Sequence, residues 1–302
     1  MAQLGLVGLG RMGANMRDRV RAAGHEVVGY DRDPDLADAA SLADLVAALP
    51  APRIVWVMVP AGEPTRNTIT ELAGLLETGD LLIDGGNSRY TEDTGHAALL
   101  ARQGIGYLDV GVSGGVWGRE NGYGLMVGGS TEDVAKAMPI FDALRPDGPR
   151  AEGFAHAGDV GAGHYAKMVH NGIEYGLMQA YAEGFELLDA SGVVTDVPAV
   201  VKAWQRGTVV RSWLLELLVR ALDEDPGLDE LEGHVQDSGE GRWTLEEAVN
   251  NAVPAPVLSA ALFARFASRQ EDSAAMRAVA ALREQFGGHA VRRAGTDTEV
   301  AD

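Results

Sequence analysis

Five short apolar runs, QLGLVGL, EVVGYD, RIVWVMV, LLIDG and GYLDVGV, punctuate the first half of the chain. Stretches of helical composition, such as NMRDRVRAAG and TEDTGHAALLARQG, separate them. Strands that alternate with helices in this way form a parallel sheet covered by helices. From about Gly161 the pattern changes. RSWLLELLVRALDEDP and SAALFARFASRQ are long and helical in period, and strands are hard to find there. An α/β first half followed by an all-α second half is therefore expected. A boundary near Asp159 gives a domain over 1–160 and a helical domain over 161–290. The tail over 291–302 has no apolar period and is expected to be mobile.

A chain of 302 residues with 46% hydrophobic content can bury a core in each of two domains. Its formal net charge of -19 argues against binding nucleic acid, which needs a basic footprint. The absence of cysteine excludes disulfides and thiolate metal sites, and suits a reducing cytoplasm. No apolar run reaches membrane-spanning length, and the first strand starts almost at Met1, so neither a membrane span nor a cleaved leader is expected. The expected location is cytoplasmic.

Gly8-Leu9-Gly10-Arg11-Met12-Gly13 follows a strand and opens a helix. In a chain with 39 glycines that spacing alone says little, and a ligand-free tight turn would also produce it. Its context adds weight. The second strand, EVVGY, runs into Asp31, at the separation expected for an acid that binds an adenosine ribose. Such glycines let a backbone approach a pyrophosphate, whose charge a helix N-terminus favours. The first domain is thus read as Rossmann-like and doubly wound. The Asp31 carboxylate suits the ribose hydroxyls of NAD and would repel a 2'-phosphate by roughly 4 kcal/mol at about 4 Å. Arg32 could neutralise that phosphate, so NAD is expected first and NADP second.

Three further stretches follow strands, where a doubly wound sheet places ligands. Val59, Pro60 and Ala61 in VMVPAG should border the nicotinamide. IDGGNS ends a strand in two glycines and then offers Asn87, beside the expected cofactor, and VGVSGG offers Ser113, Gly114 and Gly115, whose N–H groups could hold a carboxylate. Each, taken singly, also reads as a glycine turn with a surface polar residue. Beyond them, GHYAKMVHNGIEYGLMQA carries two stripes at helical spacing. Val169, Ile173, Leu177 and Ala180 read as a core stripe. Lys167, His170, Asn171, Glu174 and Tyr175 have the spacing of a buried face and the chemistry of a reaction site. A lysine acting as base must fall from about 10.4 to roughly 7–8 in pKa, which burial and cationic neighbours can supply. A structural Lys–Glu pair or a solvated face is the plainer alternative.

Taken together, GLGRMGANM, IDGGNS, GVSGG and KMVHNGIEYG resemble decarboxylating 6-phosphogluconate dehydrogenases, in their short form of roughly 300 residues. The resemblance runs from the first strand to His289. It implies oxidation of 6-phosphogluconate to ribulose 5-phosphate and CO2, with Lys167 as base and Glu174 as the acid that protonates the enediol. It implies that Asn87, Ser113, Gly114, Gly115, His170 and Asn171 hold the sugar acid, and that Tyr175 and Arg269 hold its phosphate. No metal is implied, because the lysine polarises the carbonyl. Arg283 and His289 match an RxxFGxH segment that, in the longer form, reaches the site from a partner subunit. A homodimer or dimer of dimers with shared sites is therefore expected. Two departures stand out. Ser238 occupies the place of a phosphate-binding lysine, leaving Arg242 nearby, and Pro60 replaces a cofactor-contacting lysine. A 3-hydroxyisobutyrate-type dehydrogenase would need the lysine but not the HNGIEY stripe. An inactive nucleotide-binding regulator would have no need of Lys167 or Glu174.

Overall fold

The structure, a computed structural model, describes residues 2–287 and 290–293. Among the described residues there are seven strands: β1 (Gln3–Val7), β2 (Glu26–Tyr30), β3 (Ile54–Val57), β4 (Leu81–Asp84), β5 (Gly106–Ser113), β6 (Gly124–Gly129) and β7 (Phe154–Gly158). Helices α1 (Arg11–Ala22), α2 (Leu42–Ala47), α3 (Glu63–Ala73), α4 (Tyr90–Ala101), α5 (Gly118–Asn121) and α6 (Thr131–Leu144) alternate with them. The 29-residue α7 (Ala162–Ala190) follows, then α8 (Val197–Ala203), α9 (Trp213–Glu224), α10 (Glu240–Asn250), α11 (Pro256–Ala267) and α12 (Ala274–Gly287).

The strands form one sheet in the order β2-β1-β3-β4-β5-β6-β7. The five strands legible in the sequence are β1 to β5, and they pair in parallel. The sheet extends beyond those five strands, where β6 runs antiparallel to β5 before β7 returns parallel to β6. Three of the six β6 residues are glycine, and three of the five β7 residues are exposed, so neither shows the alternation of a strand. They form because β5 is eight residues long and offers β6 a full edge, from Leu108↔Gly129 to Ser113↔Gly124.

Alternate strand residues feed two cores. Leu4, Leu6, Trp56, Ile83, Leu108 and Val110 pack with Met16 and Val20 of α1 and with Ile140 and Phe141 of α6. Val55, Val57, Leu82 and Tyr107 pack on the other face with residues of α2, α3 and α4. Both faces are covered, as a parallel sheet requires.

The chain divides into two compact units: Met1–Glu174 with Gly239–Val253, and Tyr175–Ser238 with the chain from Pro254 onward. The division expected near residue 160 falls at the start of α7, whereas the compact units part inside α7, after Glu174. The physical reason is close packing of α7's first turns on the sheet. A Cβ on Gly163 would lie 2.4 Å from the Asp109 carbonyl oxygen, 2.6 Å from that of Met126 and 2.7 Å from the Gly128 nitrogen. Within the second unit, Leu215, Val219 and Leu222 of α9 are buried with Val197 and Val201, so that apolar helix is largely covered by its own unit.

The stripe read as core is the exposed one. Ile173 is 51% and Leu177 43% exposed, and Ala180 is exposed too, whereas Asn171 and Tyr175 of the polar stripe are buried. Helical spacing separates two faces but does not say which one a sheet covers.

Because the atoms around Gly163 are backbone, they cannot swing aside. Gly163→Ala should destabilise the fold by about 1–3 kcal/mol or more, measured by urea unfolding. A wild-type midpoint and slope in that variant would contradict this packing.

Candidate active site

Val7 pairs with Val57, and Val57 with Asp84, so β1, β3 and β4 end on one line. The segments Gly8–Gly13, Met58–Ala61 and Gly85–Ser88 all leave from it. Asp109 of β5 pairs with Asp84, yet β5 continues four residues to Ser113. The end of β5 at Ser113, followed by Gly114 and Gly115, therefore stands beyond the end of β4 by roughly 13 Å.

The residues after β1 fit a dinucleotide. Gly13 lies so close to the turn that a Cβ there would be 1.9 Å from the Gly8 carbonyl oxygen. Gly10, the N-cap of α1, has open space where its side chain would be and supplies no capping side chain. The first-turn N–H groups of a 12-residue helix are thus left for a phosphate. The Leu9 N–H donates to Asp31 Oδ2 (2.6 Å) and the Asp33 N–H to Asp31 Oδ1 (3.0 Å). These bonds aim the carboxylate while leaving each oxygen a lone pair for a ribose hydroxyl. Arg11, Arg32, Pro60, Ala61 and Asn87 are exposed around this edge, with Met12 and Val59 half-buried.

Lys167 lies over the sheet. A Cβ on Gly111 of β5 would come within 2.3 Å of the Lys167 Cβ, so only glycine lets the helix approach here. Burial holds the Lys167 ammonium below its ordinary range, against the opposing pull of the Glu174 and Glu240 carboxylates. His170 joins this group to β5: its Nδ1 is 3.4 Å from Lys167 Nζ and 3.1 Å from Asn171 Oδ1, while its Nε2 is 3.2 Å from Ser113 Oγ. Burial first, then the neighbouring Lys167, pushes the His170 imidazole down. A neutral imidazole can donate from Nδ1 to Asn171 and accept the Ser113 hydroxyl at Nε2. Lys167, His170, Asn171 and Ser113 thus form one connected group, with Glu174 two turns along α7.

The start of α7 is held by a buried charged cluster. The Gly161 N–H donates to Asp109 Oδ1 (2.7 Å) and the His164 N–H to Asp109 Oδ2 (2.9 Å), which satisfies two orphan donors of the helix. His164 Nδ1 lies 2.9 and 3.0 Å from the two Asp93 oxygens, and the Tyr107 hydroxyl donates to Asp93 Oδ1 (2.8 Å). Burial opposes a charged imidazole at His164. The Asp93 hydrogen bond and the charges of Asp84, Asp93 and Asp109 outweigh it and push His164 up to about 9. Burial also pushes the Asp93 carboxyl up, against the pull of His164. The pair therefore holds its proton well above neutral pH.

In the second unit, Tyr175 is buried, its hydroxyl accepts the Ser238 N–H (3.3 Å), and the Arg265 guanidinium lies 3.4 Å from its ring centroid. Arg269, the expected companion of Tyr175, is instead paired with Asp237 (3.0 Å) and bonded to Gln236 (3.1 Å). Arg283 is exposed on α12, and the expectation for His289 lies outside the described residues.

The pattern for the NAD binding domain of 6-phosphogluconate dehydrogenase matches residues 3–146. The pattern for the C-terminal domain of 6-phosphogluconate dehydrogenase matches residues 163–299. The NAD(+)-dependent, decarboxylating 6-phosphogluconate dehydrogenase of Haloferax volcanii is 44% identical over 301 residues, covering 96% of this chain and 99% of that protein. The chain belongs to the 6-phosphogluconate dehydrogenase family. A Plasmodium falciparum 6-phosphogluconate dehydrogenase structure superposes with a TM-score of 0.79 at 26% identity, covering 98% of this chain and 67% of that one. A Mycobacterium tuberculosis 3-hydroxyisobutyrate dehydrogenase structure superposes with a TM-score of 0.70 at 25% identity, covering 92% of this chain and 99% of that one. The architecture is thus shared with hydroxyacid dehydrogenases, while the match to both 6-phosphogluconate dehydrogenase domains is what assigns the family.

Several of the residues described above, and Glu240, escape a reading by motif. His164 sits one turn before Lys167, and that spacing is its only signal. Asp93 and Asp109 lie in a helix and a strand whose sequences look ordinary. Arg265 lies in the last turn of α11, four residues before Arg269 in the turn that follows, and the sequence does not tell the two arginines apart. Glu240 sits inside SGEGRWT, where a glycine-flanked acid reads as a surface turn.

His164 has a folded value, about 9, above its unfolded value, so its stabilisation is present in full below about pH 6.5 and is lost as pH rises through about 9. The unfolding free energy from urea melts should fall over that interval by roughly 3 kcal/mol. His164→Gln should flatten the slope. An equally steep slope in the variant would contradict a charged His164–Asp93 pair.

Proposed function

We propose that this chain oxidises and decarboxylates 6-phosphogluconate to ribulose 5-phosphate and CO2 with NAD as acceptor, NADP being second choice. The observation that carries this reading is the half-buried Lys167 beside His170, Asn171 and Ser113 in a chain matching both family domains. When bound, the dinucleotide accepts the hydride from C3; Gly8–Gly13 would hold its pyrophosphate, Asp31 its ribose, and Val59–Ala61 would line its nicotinamide side. Arg32, exposed next to Asp31, accounts for NADP as second choice.

The neutral Lys167 amine takes the C3 hydroxyl proton. As an ammonium it then donates to the C3 oxygen, drawing electrons toward that oxygen as the C1 carboxylate leaves as CO2. Glu174 returns a proton to the carbon that lost CO2. Asn87, Ser113, Gly114, Gly115, His170 and Asn171 orient the sugar acid. Tyr175 holds the phosphate, with Arg265 on its ring as the cationic companion in place of Arg269. No metal enters this chemistry.

We further read the protein as a homodimer, or dimer of such dimers, in which Arg283 and His289 reach the partner's substrate. The exposed apolar face of α7 (Ile173, Leu177, Ala180) supports this better than α9, whose leucines are covered within their unit. No helix among the described residues is long and apolar enough to cross a membrane. With a cysteine-free chain, that suits a cytoplasmic site of action.

Purified protein given 6-phosphogluconate should form NADH and CO2 in equal amounts, with a higher kcat/KM for NAD than for NADP. Lys167→Met should abolish both products while NAD binding, read by fluorescence, stays near wild type. Turnover in Lys167→Met, or NADH without CO2, would refute the assignment. For the shared site, inactive Lys167→Met and inactive Arg283→Ala are refolded together. Activity should rise to about a quarter of wild type through mixed dimers with one intact site. Mixed dimers that form yet stay inactive would exclude sharing.

A further inference from the structure

Glu240 opens α10, where an acidic side chain commonly sits in solvent against the helix N-terminus. Here it is only 2% exposed. The first turn of α10 is fastened to the part of α7 that carries Lys167. Thr244, one turn after Glu240, places its Oγ1 2.9 Å from the Met168 carbonyl oxygen and 2.8 Å from the Glu240 carbonyl oxygen. Gly172 meets the same threonine, and a Cβ there would come within 2.7 Å of Thr244 Cγ2. The two helices are thus in direct contact along the turn following Lys167.

A buried carboxylate needs compensating charge or hydrogen bonds. On α7, the charge of Lys167 is favoured by both Glu174 and Glu240. We propose that Glu240 is a positioning residue of the reaction: acting through Lys167, it stabilises the ammonium that forms when the amine takes the C3 hydroxyl proton. The inference rests on Lys167 as the base. In that step the O–H bond breaks and an N–H bond forms at Nζ. The electron pair left on oxygen becomes the second C–O bond as hydride leaves C3 for the acceptor. Positive charge develops on Nζ in a buried place, where a fixed negative charge is most effective. Desolvation alone would make the amine easy to deprotonate but a weak base. A nearby carboxylate restores basicity. Glu174 cannot serve alone, because it is also the proton donor later in the cycle.

On α10, Glu246 pairs with Arg89 and Glu247 takes a hydrogen bond from Tyr90, both from the start of α4. Arg242 lies two residues along the same helix. His170 of α7 is pushed toward its neutral form.

The test is Glu240→Gln, which keeps the shape and removes the charge. Losing a negative neighbour lowers the Lys167 pKa, so the acid limb of the kcat/KM profile should move to lower pH by about one unit. The plateau of kcat should fall roughly three- to tenfold because the base is weaker. Glu240→Asp should keep the limb near wild type. A second readout needs no substrate: at fixed pH, trinitrobenzenesulfonate, which reacts with neutral amines, should modify Lys167 several-fold faster in Glu240→Gln, read by peptide mass spectrometry. If Glu240→Gln does not fold, Glu240→Thr carries the same two measurements. A limb that stays or moves to higher pH, or an unchanged labelling rate, overturns the proposal. Loss of kcat without movement of the limb assigns Glu240 a merely structural role and overturns it equally. A wild-type protein inactive on 6-phosphogluconate refutes the functional reading instead, and the labelling still decides the part played by Glu240.

Discussion

The close approach of α7 to β5 is the constraint on which the rest depends. Gly111 on the strand and Gly163 on the helix leave no room for a Cβ, and that missing atom lets Lys167 rest directly on the sheet. A lysine held there loses water on its strand side, and burial is the largest influence on its charge. The same approach brings His170 within reach of Ser113, at the end of a strand that overshoots its neighbours by four residues. One steric fact thus positions the base, its imidazole neighbour and the first hydroxyl of the proposed substrate site.

Such an approach needs an anchor, because a helix N-terminus placed on a sheet brings unsatisfied N–H groups into a dry environment. Asp109 accepts two of them, and the His164–Asp93 pair ties the same turn to α4. These charges lie one turn before Lys167, so the anchor and the chemistry share a helix without sharing atoms. Anchoring uses carboxylates that are fully buried and hydrogen-bonded. The reactive group keeps a half-buried lysine, free to exchange a proton.

Much of this is legible in the sequence, and the limits have physical causes. Strands β1 to β5 announce themselves because a parallel sheet is covered on both faces and most of their residues are apolar. β6 and β7 do not, since glycine-rich and exposed segments owe their conformation to the neighbouring edge, β5 for β6 and β6 for β7, rather than to their own residues. The polar stripe of α7 is visible by spacing, but spacing cannot tell which face the sheet covers, and the apolar stripe proves to be the exposed one. Lys167, His170 and Asn171 could be picked out because local periodicity brings them together. Asp93, Asp109 and Glu240 come from elements 58 to 74 residues away from Lys167 or farther along the chain, and only the fold joins them. Arg265 and Arg269 lie only four residues apart across the end of α11, so choosing between them required seeing Tyr175 and Asp237.

The central claim, that burial on β5 lowers the Lys167 pKa and so fits the amine to act as a base, can be read without turnover. The chain has only three lysines, at positions 136, 167 and 202, so a protein labelled with carbon-13 at lysine Cε gives a resolvable spectrum. Lys167→Met identifies the resonance. On titration, the Lys167 signal should change below the ordinary value of 10.5, while Lys136, bonded to Asp133, should change above it. A Lys167 signal that titrates at or above 10.5 would contradict the account, because the amine would then stay protonated where the reaction needs it neutral.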